Sequence, residues 1–411
     1  MENNKNSKSG EAGAPSNGMK RILGLVPNVF FLGLVSLFND FSAEMIIAVM
    51  PAFLTIVLGA PPVFIGFLEG FADALASVLK IFSGWFSDKI HKRKIFAVSG
   101  YSLSVFTRWI LALVGNFWQV FIIRAVDRVG KGFRDAPRDA LLAESVEKEE
   151  VGKSFGYQRA MDTMGAVLGP LAAVFILPLI AGDYRTLFLI AFGVGIFAVL
   201  SFIFVKESHN LETEPRREAA SFSFSLKKFT MQFKLFIAAI FIFGAGVMPL
   251  SLILLKSQDI GSIGIYIPLM YLIYNISFAF FSIPFGRLSD KIGQKKVLIG
   301  GFSAAIVAYL IFAAFSDTKA IILGFIIFGL YSAMTDGVGR ALASKLINHE
   351  VLASGQGFLA AAIGVSSLLA GLIGGTIWTF WGSTAAFVYG ASMMLLGLLT
   401  FIRLNRFKSE L

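Results

Sequence analysis

Apolar runs of bilayer-spanning length recur from end to end of this chain, and they leave few folds open. A helix crossing a hydrocarbon core needs about 20 mostly apolar residues. Only helices and closed barrels can satisfy their backbone hydrogen bonds there. Twelve candidate spans follow, at 27–54, 62–86, 95–114, 117–137, 154–178, 185–205, 234–256, 264–285, 297–316, 320–340, 354–377 and 384–402. The third and fourth are separated only by Gly115 and Asn116. Composition agrees: 56% of the 411 residues are hydrophobic and 15% charged, against about 25% charged in soluble proteins. The expected class is an all-α polytopic membrane protein.

Charge sets the expected orientation. With the N terminus inside, the outside loops carry only Arg185, Lys256 and Lys319, while the inside segments collect most of the remaining Lys and Arg. That is the positive-inside pattern, so both termini are expected in the cytoplasm and the chain in the inner membrane. The same pattern accounts for the net charge of +10 without a nucleic-acid partner. Residues 1–21 are polar, lack the apolar core of a signal peptide, and are expected to form a disordered cytoplasmic tail. Residues 22–205 then form an N-terminal six-helix bundle, 206–233 a cytoplasmic linker, 234–403 a C-terminal six-helix bundle and 404–411 a short tail. The Phe-rich stretch 221–233 fits either a plain linker or a helix lying on the membrane surface.

The two halves echo each other. Gly84-Trp-Phe-Ser-Asp88-Lys89-Ile-His91-Lys92-Arg93-Lys94 returns 202 residues later as Gly286-Arg-Leu-Ser-Asp290-Lys291-Ile-Gly293-Gln-Lys295-Lys296. Phe155-Gly156-Tyr157 returns as Gln356-Gly357-Phe358 at an offset of 201. Parallel repeats of this kind place a substrate site between the halves, near the bilayer midplane.

Over residues 22–405 the chain resembles the major facilitator superfamily of secondary transporters. The family's loop pattern G-x-x-x-D-[RK]-x-G-x-[RK]-[RK] is met at 286–296, and at 84–94 with His91 in place of glycine. The fourth span has Arg124-Ala-Val-Asp127-Arg128-Val-Gly130 where the family has R-x-x-Q-G-x-G. The fifth has Gly165, Gly169 and Pro170, matching G-x-x-x-G-P. The run from Asp127 to Glu144 and the segment Asn39–Met45 look like a bacterial subgroup of the same family. The resemblance implies two pseudo-symmetric six-helix bundles that rock about a central site. It implies a latch role for Asp88, Lys89 and Arg93 and for Asp290 and Lys291, and close helix packing at Gly165, Gly169 and Pro170. It also implies an antiporter, so export is slightly favoured.

Charges within the spans carry the finer expectations. Each costs at least about 2.5–3.5 kcal/mol at the bilayer centre, so each faces a cavity or a partner. The first half holds Asp40, Glu44, Glu69, Asp73, Lys80, Arg108, Arg124, Asp127, Arg128, Lys131, Arg159 and Asp162; the second holds little beyond Asp336 and Arg340. Counted at 1.5 Å per residue, Glu44, Glu69 and Arg108 lie in the outer half. Asp40, Asp73, Arg124 and Asp127 lie near the middle, and Lys80, Lys131, Arg159 and Asp162 in the inner half. The outer and inner layers suit gates or static ion pairs. In the middle layer, Asp40 or Asp73 is the expected proton carrier, with Arg124 its switch partner. Arg124, Arg128 and Lys131 suit either an anionic cargo, such as a carboxylate siderophore, or internal neutralisation by Asp127, Asp40 and Asp73. Tyr266, Tyr271, Tyr274, Asn275, Tyr331, Trp378 and Trp381 are candidates for an apolar and aromatic C-terminal wall.

Cysteine is absent, and His91, His209 and His349 all fall in inside loops, so neither a metal site nor a cofactor is expected. No complete phosphate-binding loop or catalytic constellation is present, which disfavours ATP-driven transport and enzymatic activity. The expected function is proton-coupled secondary transport of a small organic molecule by a monomer embedded in lipid. The alternatives are an importer of a nutrient or carboxylate siderophore, and a non-transporting receptor or assembly partner.

The cysteine-free background makes the topology directly testable. A single cysteine at Ser7 or Ser409 should resist an impermeant maleimide in intact cells and react once the membrane is opened. One at Asp183 should react in both. The reverse pattern would invert the orientation.

Overall fold

This computed structural model describes residues 21–90, 93–147, 149–207, 229–261, 266–347 and 352–403. Within them, twelve α-helices run in chain order: α1 Pro27–Ala52, α2 Pro62–Ile90, α3 Arg93–Leu111, α4 Phe117–Glu144, α5 Val151–Leu179, α6 Tyr184–Ser201, α7 Met231–Gly244, α8 Leu250–Leu254, α9 Tyr266–Ile292, α10 Gln294–Ala314, α11 Thr318–Leu346 and α12 Leu352–Arg403. Short polar caps start several of them. Asn116 accepts from Gln119 N at 3.1 Å at the head of α4, and Asp317 accepts from Ala320 N at 3.1 Å at the head of α11. These caps satisfy exposed N–H groups on the side away from the termini, where the loops are too short to wrap back.

The helices form two bundles with matching internal contacts. In the first, α1 packs on α5 and α6, α3 on α4, and α2 on α4. In the second, α7 packs on α12, α10 on α11, and α9 on α11. The repeated sequence stretches start or join corresponding helices: α2 to α3 in one bundle and α9 to α10 in the other, α5 and α12 for the shorter echo. Duplication of sequence is thus duplication of packing.

Four spans differ from the expectation. The seventh, 234–256, is not one helix: α7 stops at Gly244, and α8 restarts only after Pro249. Pro249 has no N–H to give, and the Met248 N–H donates instead to the Tyr309 hydroxyl at 2.8 Å. The fourth runs past 137, through Pro137, to Glu144. Hydropathy marks where the bilayer ends; a helix can continue into water. The last two spans join into α12, which breaks only at Gly382, with φ 85° and ψ 170°, a conformation that favours glycine. Among the described residues, seven helices, α12 counted once, are long and apolar enough to cross a membrane. Charge excludes α4 from that set, and length excludes α7.

The bundles meet most closely on the side away from the termini, and glycine makes this possible. A Cβ on Gly66 of α2 would lie 2.0 Å from the Gly371 carbonyl oxygen of α12, and one on Gly371 would meet the Gly66 oxygen at the same distance. Gly70 faces Leu368 and Gly375 faces Val63 at similarly short range. Small residues that let backbones touch are how membrane helices associate without a hydrophobic drive. Within the first bundle, Gly165 and Gly169 of α5 do the same against Leu37–Met45 of α1.

Gly66→Leu should force α2 and α12 apart at this contact. The readout is a Val63→Cys/Thr379→Cys pair, whose parent residues are joined by a 3.1 Å hydrogen bond. Oxidative cross-linking should be efficient in the parent and fall severalfold in the Gly66→Leu background, at unchanged protein abundance. Equal cross-linking in both backgrounds would refute the backbone contact.

Candidate functional site

A cavity of about 620 Å³ lies between the bundles, reaching from mid-depth towards the face that carries the termini. Its first-bundle wall is polar: Asp73 and Ala76 of α2, Arg128 and Lys131 of α4. Its second-bundle wall is mostly apolar and includes seven aromatic residues, Phe236, Phe243, Tyr274, Phe278, Phe302, Phe328 and Tyr331. Near the mouth, Arg340 pairs with Asp336 at 2.6 Å, both well exposed. A site of this size and mixed lining suits a drug-sized molecule.

A second, smaller cavity of about 90 Å³ lies inside the first bundle, lined by Asp40, Glu44, Arg108, Arg124, Asp127, Arg128, Lys131 and Arg134. Helix geometry explains the grouping. Arg124, Arg128 and Lys131 are spaced i, i+4, i+7, hence on one face of α4. Asp40 and Glu44 share a face of α1, which the Gly165 and Gly169 contacts press towards α5. Glu69 and Arg124 each sit seven residues in from the start of their helix, Pro62 of α2 and Phe117 of α4. That register brings them level. Arg124 Nη2 donates to both Glu69 oxygens at 2.9 Å, with Asp127 at 3.8 Å on its other nitrogen. Arg124 is therefore held by Glu69 and Asp127, not by Asp40 or Asp73.

Of the neighbouring cations, Arg108 is held by neutral groups, and Arg134 by neutral groups together with Asp135, whose Oδ1 lies 3.6 Å from its Nε. Arg108 donates to Ser42 Oγ at 2.6 Å and to Asn39 Oδ1 at 2.7 Å. Arg134 reaches the same Asn39 oxygen at 3.4 Å and lies 4.5 Å from the centre of the Tyr101 ring, a cation–π contact. The Asn39 amide N–H donates in turn to Asp40 Oδ1 at 2.9 Å. Asn39 thus ties two cations to one acid. A search for charges passes over Asn39, Ser42 and Tyr101; the usable signal is the i, i+3 spacing that puts Asn39 and Ser42 on one face of α1.

Two first-bundle acids reach the second bundle. The Tyr271 hydroxyl donates to Glu44 Oε2, and the Ser367 hydroxyl to Asp73 Oδ2 at 3.0 Å. Asn275 Nδ2 also donates across to the Ala166 carbonyl at 2.9 Å, and Gln258 Nε2 to Thr55 Oγ1 at 3.0 Å. Asp40 stays within its own bundle. Of the expected C-terminal wall, Tyr274 and Tyr331 line the cavity, Tyr271 and Asn275 bridge the bundles, and Trp381 is exposed on the surface.

The expected latch residues divide. Arg93 pairs with Glu144 of α4, and its backbone N–H donates to Glu207 Oε1 at 2.8 Å, so Glu207 caps α3. Asp290 and Lys291 are exposed on the termini face. The side chains of Lys80, Asp88 and Lys89 lie outside the described residues, as do His91, 208–228 and 348–351. Asp162 accepts from Gln158 Nε2 at 3.3 Å on α5, and Arg159 is exposed.

Comparison with known proteins agrees with this architecture. The family model of the Major Facilitator Superfamily matches residues 32–261 and 235–411. An uncharacterized MFS-type transporter of Methanocaldococcus jannaschii is 36% identical over 386 residues, covering 92% of this chain and 95% of that protein. A multi-drug resistance efflux pump of Streptococcus pneumoniae, PmrA, is 26% identical over 318 residues, covering 74% of this chain and 77% of the pump. Among solved structures, the nucleoside transporter NupG superposes with a TM-score of 0.78 at 15% identity, covering 92% of this chain and 99% of NupG. A peptide transporter of the POT type gives 0.76 at 14%, covering 94% and 97%. At such identities the structures establish shared fold alone.

The buried Glu69–Arg124 pair makes a stability prediction. Glu69→Gln leaves Arg124 without its bidentate partner and should destabilise the protein by about 3–5 kcal/mol. The readout is a lower melting temperature and lower abundance in detergent. Pairing it with Arg124→Gln should restore much of the loss; a double variant no better than the single one would show that the pair is not the stabilising unit.

Proposed function

The chain belongs to the major facilitator superfamily, and we propose that it is a proton-coupled secondary transporter that carries a small organic molecule through the cavity between its bundles by alternating access. The observation that carries this reading is the bond from Tyr271 to Glu44, a carboxylate that lines the small cavity of the first bundle and is held by a hydroxyl of the second. Opening the far side pulls this bond apart. Protonation of Glu44 removes the charge that the hydroxyl satisfies, so the proton and the conformation act on the same contact. Asp73, bonded to Ser367 and facing the cavity, is the second acid placed to act in this way.

Export is the favoured direction. It is supported by the Gly165–Gly169–Pro170 pattern and by the likeness to the streptococcal efflux pump. The Lys and Arg distribution supports an inner-membrane protein with both termini, and hence the cavity mouth, on the cytoplasmic side.

Uptake and efflux in intact cells test the reading, with labelled organic anions, dyes and siderophores compared between wild type, deletion and Glu44→Gln. At least one compound should move in a protonophore-sensitive way, and Glu44→Gln should reduce that movement to the deletion background while the protein stays in the membrane. Unimpaired coupled transport in Glu44→Gln removes Glu44 from the mechanism and points to Asp73 or Asp40. Transport indifferent to the protonophore removes proton coupling altogether.

A further inference from the structure

We infer that the cargo is a singly charged organic anion, a carboxylate on an aromatic or otherwise apolar body, whose acid group is held by Arg128 and Lys131 while its body lies on the aromatic wall of the second bundle. This rests on the transport reading above and names the substrate class.

The cations of the α4 stripe differ in their partners. Arg124 is taken by Glu69 and Asp127. Arg128 and Lys131 have no ion pair as close as that of Arg124 with Glu69: the acids that act on them, Asp127 on Arg128 and Asp135 and Asp40 on Lys131, do so from further off. Among the described residues, Arg128 has the Glu69 carboxylate at 3.8 Å, and Glu69 is already bidentate to Arg124. Arg128 Nε, like Arg124 Nε and Arg134 Nε, is buried and has no hydrogen-bond partner among those residues; of the three arginines only Arg128 also faces the large cavity. Lys131 has no carboxylate within ion-pairing distance among them either. These two cations, and no others of the stripe, face both the small cavity and the large one.

The charge also sizes the ligand. Near the mouth, Asp336 and Arg340 neutralise each other. Deeper in the large cavity, Arg128 and Lys131 stand against Asp73, whose Oδ2 already accepts from Ser367. Over the lining of the large cavity alone, three cations stand against two acids, an excess of one that a single carboxylate matches. A guanidinium and an ammonium side by side offer a fork and a point charge to such a group.

The opposite wall supplies flat apolar surface. Tyr274 and Phe278 line the cavity from α9 with nearly parallel rings, 6° between their planes, and Tyr271, outside the cavity, continues the stack at 10°. Phe243 stacks on Phe302 at 4.0 Å. Tyr331 extends this surface. A ligand that binds the first bundle by charge and the second by ring contact joins the two bodies that must move together.

Binding to the purified full-length protein in nanodiscs tests this with three isosteric probes: 1-naphthoate, 1-naphthalenemethanol and 1-naphthylmethylammonium. The expected result is saturable binding of naphthoate at least about tenfold tighter than of the other two, matching one charge-assisted interaction. Arg128→Gln and Lys131→Gln should each abolish that preference, and Lys131→Arg, which keeps the charge, should retain it. Monodisperse elution and an unshifted melting temperature identify variants that remain folded. Equal binding of all three probes, preference for the ammonium, or undiminished naphthoate preference in both Gln variants overturns the inference. Transport of a neutral or cationic compound through the same cavity also overturns it while leaving the transport reading intact. Naphthoate binding lost in the Gln variants but with no translocation in proteoliposomes supports this assignment and counts against transport.

Discussion

A charge that enters hydrocarbon must find its counterpart in the protein, and in this molecule that requirement fixes how α2 and α4 are turned. Glu69 and Arg124 stand level because each lies the same distance from the end of its helix. Once they face each other, the rotation of α4 is set. The residues one and two turns further along, Arg128 and Lys131, then face the cavity between the bundles, beside Asp73 and Ala76 of α2. The polarity of the cavity wall is thus a consequence of an ion pair placed above it. The same requirement explains Asn39, which carries two guanidinium groups and one carboxylate on a single amide.

The second bundle solves a different problem. With few charges to match, it is free to be apolar, and it places aromatic rings where the first bundle places ions. The two walls were copied from one ancestor in sequence and packing, yet they divide recognition between them. Sites with one charged and one apolar wall give orientation to a ligand as well as affinity.

Much of this was legible in the chain. Long apolar runs, the 202-residue echo and the loop motif were enough to specify a helical membrane protein of two related bundles. Boundaries failed where hydropathy and helicity part company: at Gly244, where a proline nearby stops a helix inside an apolar run, and beyond 137, where a helix continues without one. Of the candidate site, the charged lining was legible because charge inside a span is conspicuous. Its pairing was not. Whether Arg124 meets Glu69 or Asp73 depends on helix register and tilt, and the two acids differ by one turn of α2. Neutral partners such as Asn39, Ser42 and Ser367 carry no mark that hydropathy or charge can detect.

The Gly66–Gly371 contact has a consequence for rate as well as for shape. Where two helices meet through interlocked side chains, separating them means turning many rotamers at once. Here backbone rests on backbone, and no side chain of either glycine stands in the way. The seam holds by close dispersion contacts that fall off steeply with distance. Such a joint releases early and completely rather than yielding by degrees. In the proposed transport cycle, the balance between its shut and open populations would be a property of two missing methyl groups, adjustable by a single carbon atom away from the residues that line the cavity.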